Sequence, residues 1–385
     1  MTSIRARRAL LLTFLGPVAA FAAQAPAVVA PQGAKPLSDI HDLSPGGTCP
    51  DPGPAGRATI AKAAIARIPL KAGLTLSHTW KAQAGDYEHE CLNQVAAIDS
   101  STIVVTGSCP IGPQHEISRW TRRLCWTDVA QSYLYLTGGD KSYPQTFVGA
   151  LQFNLSQASF ASLKSAGEFR HRYIGLYGED PRFVDTDIDG AQKSEGAGTF
   201  KLIINDREVE VPTIETVAFR QKDGDIIRLK ILDDPGFPLV LDYYIPTDNK
   251  FFITYTKVSF PAVDELEHRL AVDKHTDVYG IYFDFAKSTL RAESQPVLQE
   301  IAAALKAHPD WKLTINGHTD NVGVAAENLE LSQQRAQTVR KALIEQYMID
   351  ATRLATNGFG ASQPEESNDT DRGRARNRRV ELVRQ

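Results

Sequence analysis

The chain has 385 residues, 42% of them hydrophobic and 23% charged, with a formal net charge of −4. That length is too great for one ordinary core and predicts two domains of globular composition. The charge balance gives no electrostatic reason to expect a nucleic-acid or anionic-membrane partner.

The first residues read as an export signal. Arg5, Arg7 and Arg8 precede an apolar run over residues 9–22, and Ala20-Phe21-Ala22 puts small residues where a signal peptidase reads them. Cleavage after Ala22 is expected, since the run is short for a bilayer span of ~20 residues. The Arg7-Arg8 pair lacks the flanks of a twin-arginine signal, and no Cys near the cleavage site offers a lipid anchor. Cys49, Cys91, Cys109 and Cys125 all lie in the first third, with no CxxC pair. In an oxidising compartment they predict one or two disulfides, with three connectivities open. A metal site using His89 and Cys91 is the competing reading, but the two lack further ligands at recognised spacing.

Residues 23–58 are rich in Ala, Pro and Gly and predict a flexible leader. From 59 to 261 the pattern changes to short runs of β-formers between turn signals. Residues 200–204 and 208–211 flank Asn205-Asp206, and 213–220 and 226–232 flank Lys222-Asp223-Gly224, two hairpin signals. Residues 102–105, 239–245 and 251–260 are further strands, and residues 156–165 a helix. The region reads as a mainly antiparallel, soluble β domain, sandwich or barrel-like. An outer-membrane barrel is the alternative, but the runs are short and uneven for membrane strands, and Pro recurs among them. Within this region Asp185, Asp187 and Asp189 alternate before Gly190, like the start of a calcium loop. Gly196 stands where the bidentate Glu belongs, so a solvated acidic turn competes with that reading.

Residues 262–276 read as a linker, charged and mildly helical over 263–270. Beyond them a strand is expected over 278–285, a helix over 291–308, a strand over 312–316, a helix from about 325 or 331 to 347, a strand over 354–358, a helical turn at 372–376 and a last strand over 378–383. This βαβαβ order predicts an α+β two-layer sandwich. Asp320 follows the second strand. Arg335 lies beside core position Ala336 on the following helix. An acid and a base near one another, both unpaired by their own chain, suit a zwitterionic ligand. Each has an ordinary reading too, Asp320 as a helix cap and Arg335 as a solvated helix side chain.

Ile281-Tyr282-Phe283-Asp284-Phe285, Gly317-His318-Thr319-Asp320, Leu331-Ser332-Gln333-Gln334-Arg335-Ala336, Gly358-Phe359-Gly360 and Asn377-Arg378-Arg379-Val380-Glu381 occur in order. Together they resemble the OmpA-like peptidoglycan-binding domain over residues 277–385. The resemblance implies non-covalent binding of peptidoglycan through the meso-diaminopimelate of its stem peptide, with no catalysis and no cofactor. Asp320 would take the ammonium and Arg335 the carboxylate. Thr319, Asn328 and Leu331 match the family's pocket-wall positions, and Arg378 its late basic residue. Ala286 departs from the family, which often has a polar residue there. The Arg run over 372–379 has no interleaved aromatics for base stacking, against a nucleic-acid reading.

The expectation is therefore a periplasmic, cell-wall-associated protein, with the outer membrane of a Gram-negative bacterium as one place for it, that anchors its β domain to the wall and offers it to an envelope partner. The alternatives keep the same tail as a tether for an enzyme or a barrel. His89, His115, His171 and Asp242 are candidate side chains for the enzyme, but no GxSxG, HExxH or Cys/His pattern groups them.

Overall fold

The computed structural model describes residues 49–385, apart from 65, 83–88, 112–115, 132–133, 138–144, 148–149, 152, 176–183, 220–225, 246–250 and 262–264. The export signal and most of the Ala/Pro/Gly-rich leader lie outside the described residues. The described part of the leader is tied down. Cys49 is joined to Cys125, and the helix α1 (Gly53–Ala64) buries Thr59 and Ala63.

Four antiparallel strands follow: β1 (Thr75–Ala82), β2 (His89–Ile98), β3 (Thr102–Ile111) and β4 (Glu116–Cys125). A short helix α2 (Trp126–Gln131) leads to three small strands, β5 (Leu134–Thr137), β6 (Gln145–Phe147) and β7 (Ala150–Leu151). Helix α3 (Gln157–Ala166) starts where the Ser156 side chain accepts from the Ser159 backbone N–H, and it buries Phe160 and Leu163. Next come β8 (Glu168–Gly175), β9 (Val184–Ile204), β10 (Arg207–Phe219), β11 (Ile226–Leu232), β12 (Val240–Ile245) and β13 (Phe251–Ser259).

Among the described residues these thirteen strands form one sheet, in the order β6-β4-β3-β2-β1-β13-β12-β11-β10-β9-β8-β5-β7. β13 also pairs in parallel with β9, at Lys257↔Ile203 and Val258↔Ile204. The strands from β9 to β13 therefore close a five-strand ring, so the body is barrel-like. The smallest outer-membrane barrels have eight strands. Among the described residues no helix is long and apolar enough to cross a membrane. Both expected hairpins are present as β9–β10 and β10–β11. In the first, Asn205 and Asp206 both take positive φ, the geometry that a two-residue hairpin turn demands.

The stretch read as a linker belongs to the second domain. Its helix α4 (Glu265–Val272) buries Leu266 and Leu270 in the C-terminal core. The strand β14 (His275–Val278) is the domain's edge strand, paired with β17 (Val380–Arg384). The strand expected over 278–285 is thus displaced toward the N-terminus. After Gly280 the chain turns inward, burying Tyr282, and keeps only an isolated bridge at Phe283↔Leu290. Packing of the aromatic side chains outweighs their alternating pattern here.

The remaining elements agree with the sequence to within a few residues: α5 (Gln295–Ala307), β15 (Leu313–His318), α6 (Ala325–Glu345), β16 (Leu354–Gly360) and α7 (Asp371–Asn377). The four-strand sheet has the order β14-β17-β15-β16. Leu298, Ile301 and Leu305 of α5, with Ala336, Val339 and Leu343 of α6, form the helical side of its core. Between the two bodies, Asp206 of the β9–β10 turn accepts from the Tyr279 backbone N–H at 2.7 Å and from Arg269 at 2.9 Å.

Candidate ligand-binding site

Two glycines set how closely α6 can lie on the sheet. A Cβ at Gly317 would stand 2.1 Å from the Ser332 carbonyl oxygen, and one at Gly358 would stand 2.4 Å from the Gln333 backbone nitrogen. Both approaches are impossible for a larger residue, so the glycines of two separate motifs serve one contact. Ser332 completes it, its hydroxyl accepting from the Gly360 N–H at 2.9 Å. This close contact brings Arg335 on α6 toward the loop that leaves β15.

That loop carries Thr319 and Asp320. Thr319 donates its backbone N–H to Gly360 O at 2.9 Å. Asn328 staples the loop by donating to the carbonyls of Asp320 and Val322. Asp320 is largely buried, and its Oδ1 accepts from the Val322 N–H at 3.1 Å. The guanidinium of Arg335 lies 5.0 Å from the centre of the Phe283 ring and donates from Nε to the Lys287 carbonyl at 3.1 Å. Burial pushes its pKa down to about 10, and the charge of Arg378 works in the same direction. Among the described residues no carboxylate lies within ion-pairing distance of Arg335.

Asp320, by contrast, is not unpaired as the sequence suggested. Its Oδ2 lies 2.7 Å from Nη1 of Arg378. Arg378 follows α7 and is delivered by a different part of the fold, so the pair has no local sequence pattern. A carboxylate offers about four acceptor positions, so Asp320 keeps capacity for a further donor.

All six residues singled out in the sequence (Asp320, Arg335, Thr319, Asn328, Leu331 and Arg378) line one cavity of about 380 Å³. Phe283, Arg291 and Arg374 share the wall, and so do Glu90 of β2 and Pro110 of β3, from the β-rich body. Sequence reasoning missed these last two because no motif marks them. Ala286 also lines the cavity and sits in the left-handed region at φ 51°. Asn and Asp take that conformation more readily than Ala.

Beside the cavity, Glu381 on β17 meets the side chains of Asn316 and His318 on β15 at 2.8 and 3.2 Å, and His275 at 2.8 Å. The His318 hydrogen bond, and after it that from Asn316, overcomes partial burial and holds the Glu381 carboxyl down at about 2.

Among the described residues, the other sequence candidates do not line this cavity. The cysteines pair as Cys49–Cys125 and Cys91–Cys109, one of the three open connectivities. The second bond consumes the thiol that a His89/Cys91 metal site would need. Asp185, Asp187 and Asp189 fall on β9, which pairs with β8, and their side chains lie outside the described residues. Among the described residues no group of three or more metal-ligating side chains gathers. His115 and the side chains of His89 and His171 also lie outside the described residues. Asp242 accepts from Thr254 across the β12–β13 pair at 2.6 Å, and burial raises its pKa.

Residues 282–378 match the OmpA family. The chain is 42% identical over 100 residues to outer membrane protein Omp38 of Acinetobacter baumannii, a match spanning 26% of this chain and 28% of that protein. It is 46% identical over 87 residues to the peptidoglycan-binding protein ArfA of Mycobacterium bovis, covering 23% of this chain and 26% of the relative. These curated relatives are thus matched over little more than a quarter of their own length. Among solved structures, the peptidoglycan-associated lipoprotein from Burkholderia pseudomallei is 34% identical, covering 27% of this chain and 88% of that one, with a TM-score of 0.26.

Proposed function

Since residues 282–378 are an OmpA-family domain, we propose that this domain binds peptidoglycan through the meso-diaminopimelate of the stem peptide, and so holds the β-rich body at the cell wall. The observation that carries this reading is one cavity presenting an acid, Asp320, and a cation, Arg335, that has no carboxylate partner among the described residues. The free end of diaminopimelate carries an ammonium and a carboxylate on one carbon. Asp320 accepts from the ammonium, and the planar fork of Arg335 grips the carboxylate in charge-assisted hydrogen bonds. Lysine lacks that second carboxylate, so a two-point clamp separates wall types that differ there. The cavity needs no nucleophile for this, and binding without cleavage suffices. The protein then works outside the cytoplasm, associated with the wall, and its β-rich body faces other envelope components.

Co-sedimentation with purified sacculi tests the clamp. The chain is expected to pellet with diaminopimelate-type sacculi and not with lysine-type ones. Asp320→Ala or Arg335→Ala is expected to weaken binding by roughly 2–5 kcal/mol, because truncation strands the partner charge. If either variant keeps the parental circular dichroism and still pellets like the parent, the assignment is wrong.

A further inference from the structure

The cavity has walls from both bodies, and its acids and bases form a chain that crosses between them. Arg378 stands between two carboxylates. Its Nη1 is 2.7 Å from Asp320 Oδ2, and its Nε is 3.7 Å from Oε2 of Glu90 on β2. Glu90 is anchored at its other oxygen, where Oε1 lies 2.9 Å from Lys257 Nζ on β13 and accepts from the Ser77 hydroxyl at 2.7 Å. Burial disfavours its charge, but Lys257 and then Arg378, with the Ser77 hydrogen bond, hold the carboxyl well below the ordinary range.

The backbone around Glu90 is fastened to the C-terminal domain as firmly as the side chain. Arg291 is buried and donates to the Glu90 carbonyl at 3.2 Å and to the Ser108 carbonyl of β3 at 2.9 Å. Ser108 hydrogen-bonds Glu293, whose carbonyl in turn accepts from Gln94 at 3.2 Å. The Cys91–Cys109 disulfide ties β2 to β3, one residue from each of Glu90 and Pro110. The strand edge that lines the cavity is therefore held from both sides.

We infer that the ligand site is a two-domain site in which Glu90 is a positioning residue: it offers Arg378 a second carboxylate, so that the ligand ammonium can displace the Arg378 guanidinium from Asp320. The inference rests on the diaminopimelate reading of the cavity. Without the Glu90 charge, the Arg378–Asp320 pair loses its competitor and is harder for the ammonium to displace, because an opposite charge at hydrogen-bond distance competes directly with an incoming cation. Binding and domain docking are then linked, and by reciprocity the ligand tightens the contact between the two bodies.

Isothermal titration of the full chain with a stem tripeptide ending in meso-diaminopimelate tests this, using Glu90→Gln, Glu90→Asp, Arg378→Gln, the double variant Glu90→Gln/Arg378→Gln, and Asp320→Ala. Glu90→Gln keeps the shape and the Ser77 hydrogen bond and is expected to bind about tenfold more weakly, the equivalent of about 1.4 kcal/mol. Glu90→Asp should recover part of the loss. On the Arg378→Gln background the Glu90→Gln change should have no further effect. A tripeptide acetylated at the free ammonium should bind parent and Glu90→Gln alike, whereas a merely structural loss would weaken both ligands equally. Parental affinity in Glu90→Gln, with binding abolished in Asp320→Ala, overturns the positioning role and leaves the clamp standing. Parental affinity in Asp320→Ala overturns the clamp and this inference with it. A Glu90→Gln loss that persists undiminished without Arg378 also overturns the inference.

Discussion

The C-terminal domain and the β-rich body reach the same cavity by different routes. In the C-terminal domain Asp320 and Arg335 sit fifteen residues apart, on a strand end and the helix that packs back on it, and two glycines fix the distance between those elements. In the β-rich body Glu90 lies near the start of β2, an inner strand of the thirteen-strand sheet, and its carbonyl meets Arg291 across 201 residues of sequence. The first arrangement is local, so selection of residue types along a short stretch suffices to build it. The second depends on how two finished bodies dock. The two bodies also stabilise themselves differently. Both disulfides lie in the β-rich body, while the C-terminal domain relies on apolar packing and on polar clusters such as that around Glu381.

The strongest way to separate them is to remove the Cys49–Cys125 bond. Its ends are 76 residues apart, and a chain-entropy estimate gives a loss of about 4.5 kcal/mol. A Cys49→Ala/Cys125→Ala chain is expected to lower the denaturation midpoint of the β-rich body and leave that of the C-terminal domain in place. Trp126 and Trp311 report on the two cores separately. An equal shift of both midpoints would show instead that docking makes the bodies one cooperative unit.

Next in size is Gly317→Ala, where the new Cβ meets a carbonyl oxygen in the body of α6. A loss of about 3 kcal/mol, at the upper end of overpacking effects, is expected in the C-terminal domain, together with loss of sacculus binding. Thermal unfolding with the parental midpoint in this variant would show that the helix can retreat without cost.

The most gradual effect is that of acid. His78 on β1 is buried against Tyr255, and burial lowers its pKa from 6.5 to about 4, with the charges of Glu90 and Arg291 acting in opposite directions. The unfolded chain takes up that proton first, so the β-rich body loses stability as the pH falls from about 6.5 to 4. Glu381 is depressed from 4.5 to about 2, so its contribution is complete above pH 4.5 and disappears as the pH falls toward 2. Urea titrations across this range should show the β-rich body weakening first. His78→Phe should flatten the upper limb, and Glu381→Gln the lower one. Superimposed limbs in parent and variants would remove these two groups as the cause.

The C-terminal fold was readable because its helices alternate apolar and polar residues at helical spacing and its glycines sit where only a glycine fits. Ala336, Val339 and Leu343 were assigned to the core from spacing alone and are buried there. The hairpin at Asn205-Asp206 was readable for a similar reason, since both residues tolerate the positive φ the turn requires. The first strand of the domain was misplaced because residues 281–285 alternate like a strand, whereas the adjacent Ile281 and Tyr282 are both buried and the segment keeps only an isolated bridge. The linker was misread because the weak amphipathic pattern of α4 is satisfied only by contact with α5 and with the sheet.

What the sequence determined by itself is a site within one domain: its strand end, its helix and the opposed charges of Asp320 and Arg335. These follow from short-range geometry, which repeats wherever the same residues recur at the same spacing. Only the tertiary structure decided that Arg378 occupies Asp320, that Glu90 holds Arg378 from the other side, and that Lys257 and Ser77 hold Glu90. Those contacts join residues whose separation along the chain carries no periodic signal. Burial and docking, acting on charges that cannot be left uncompensated, bring them together.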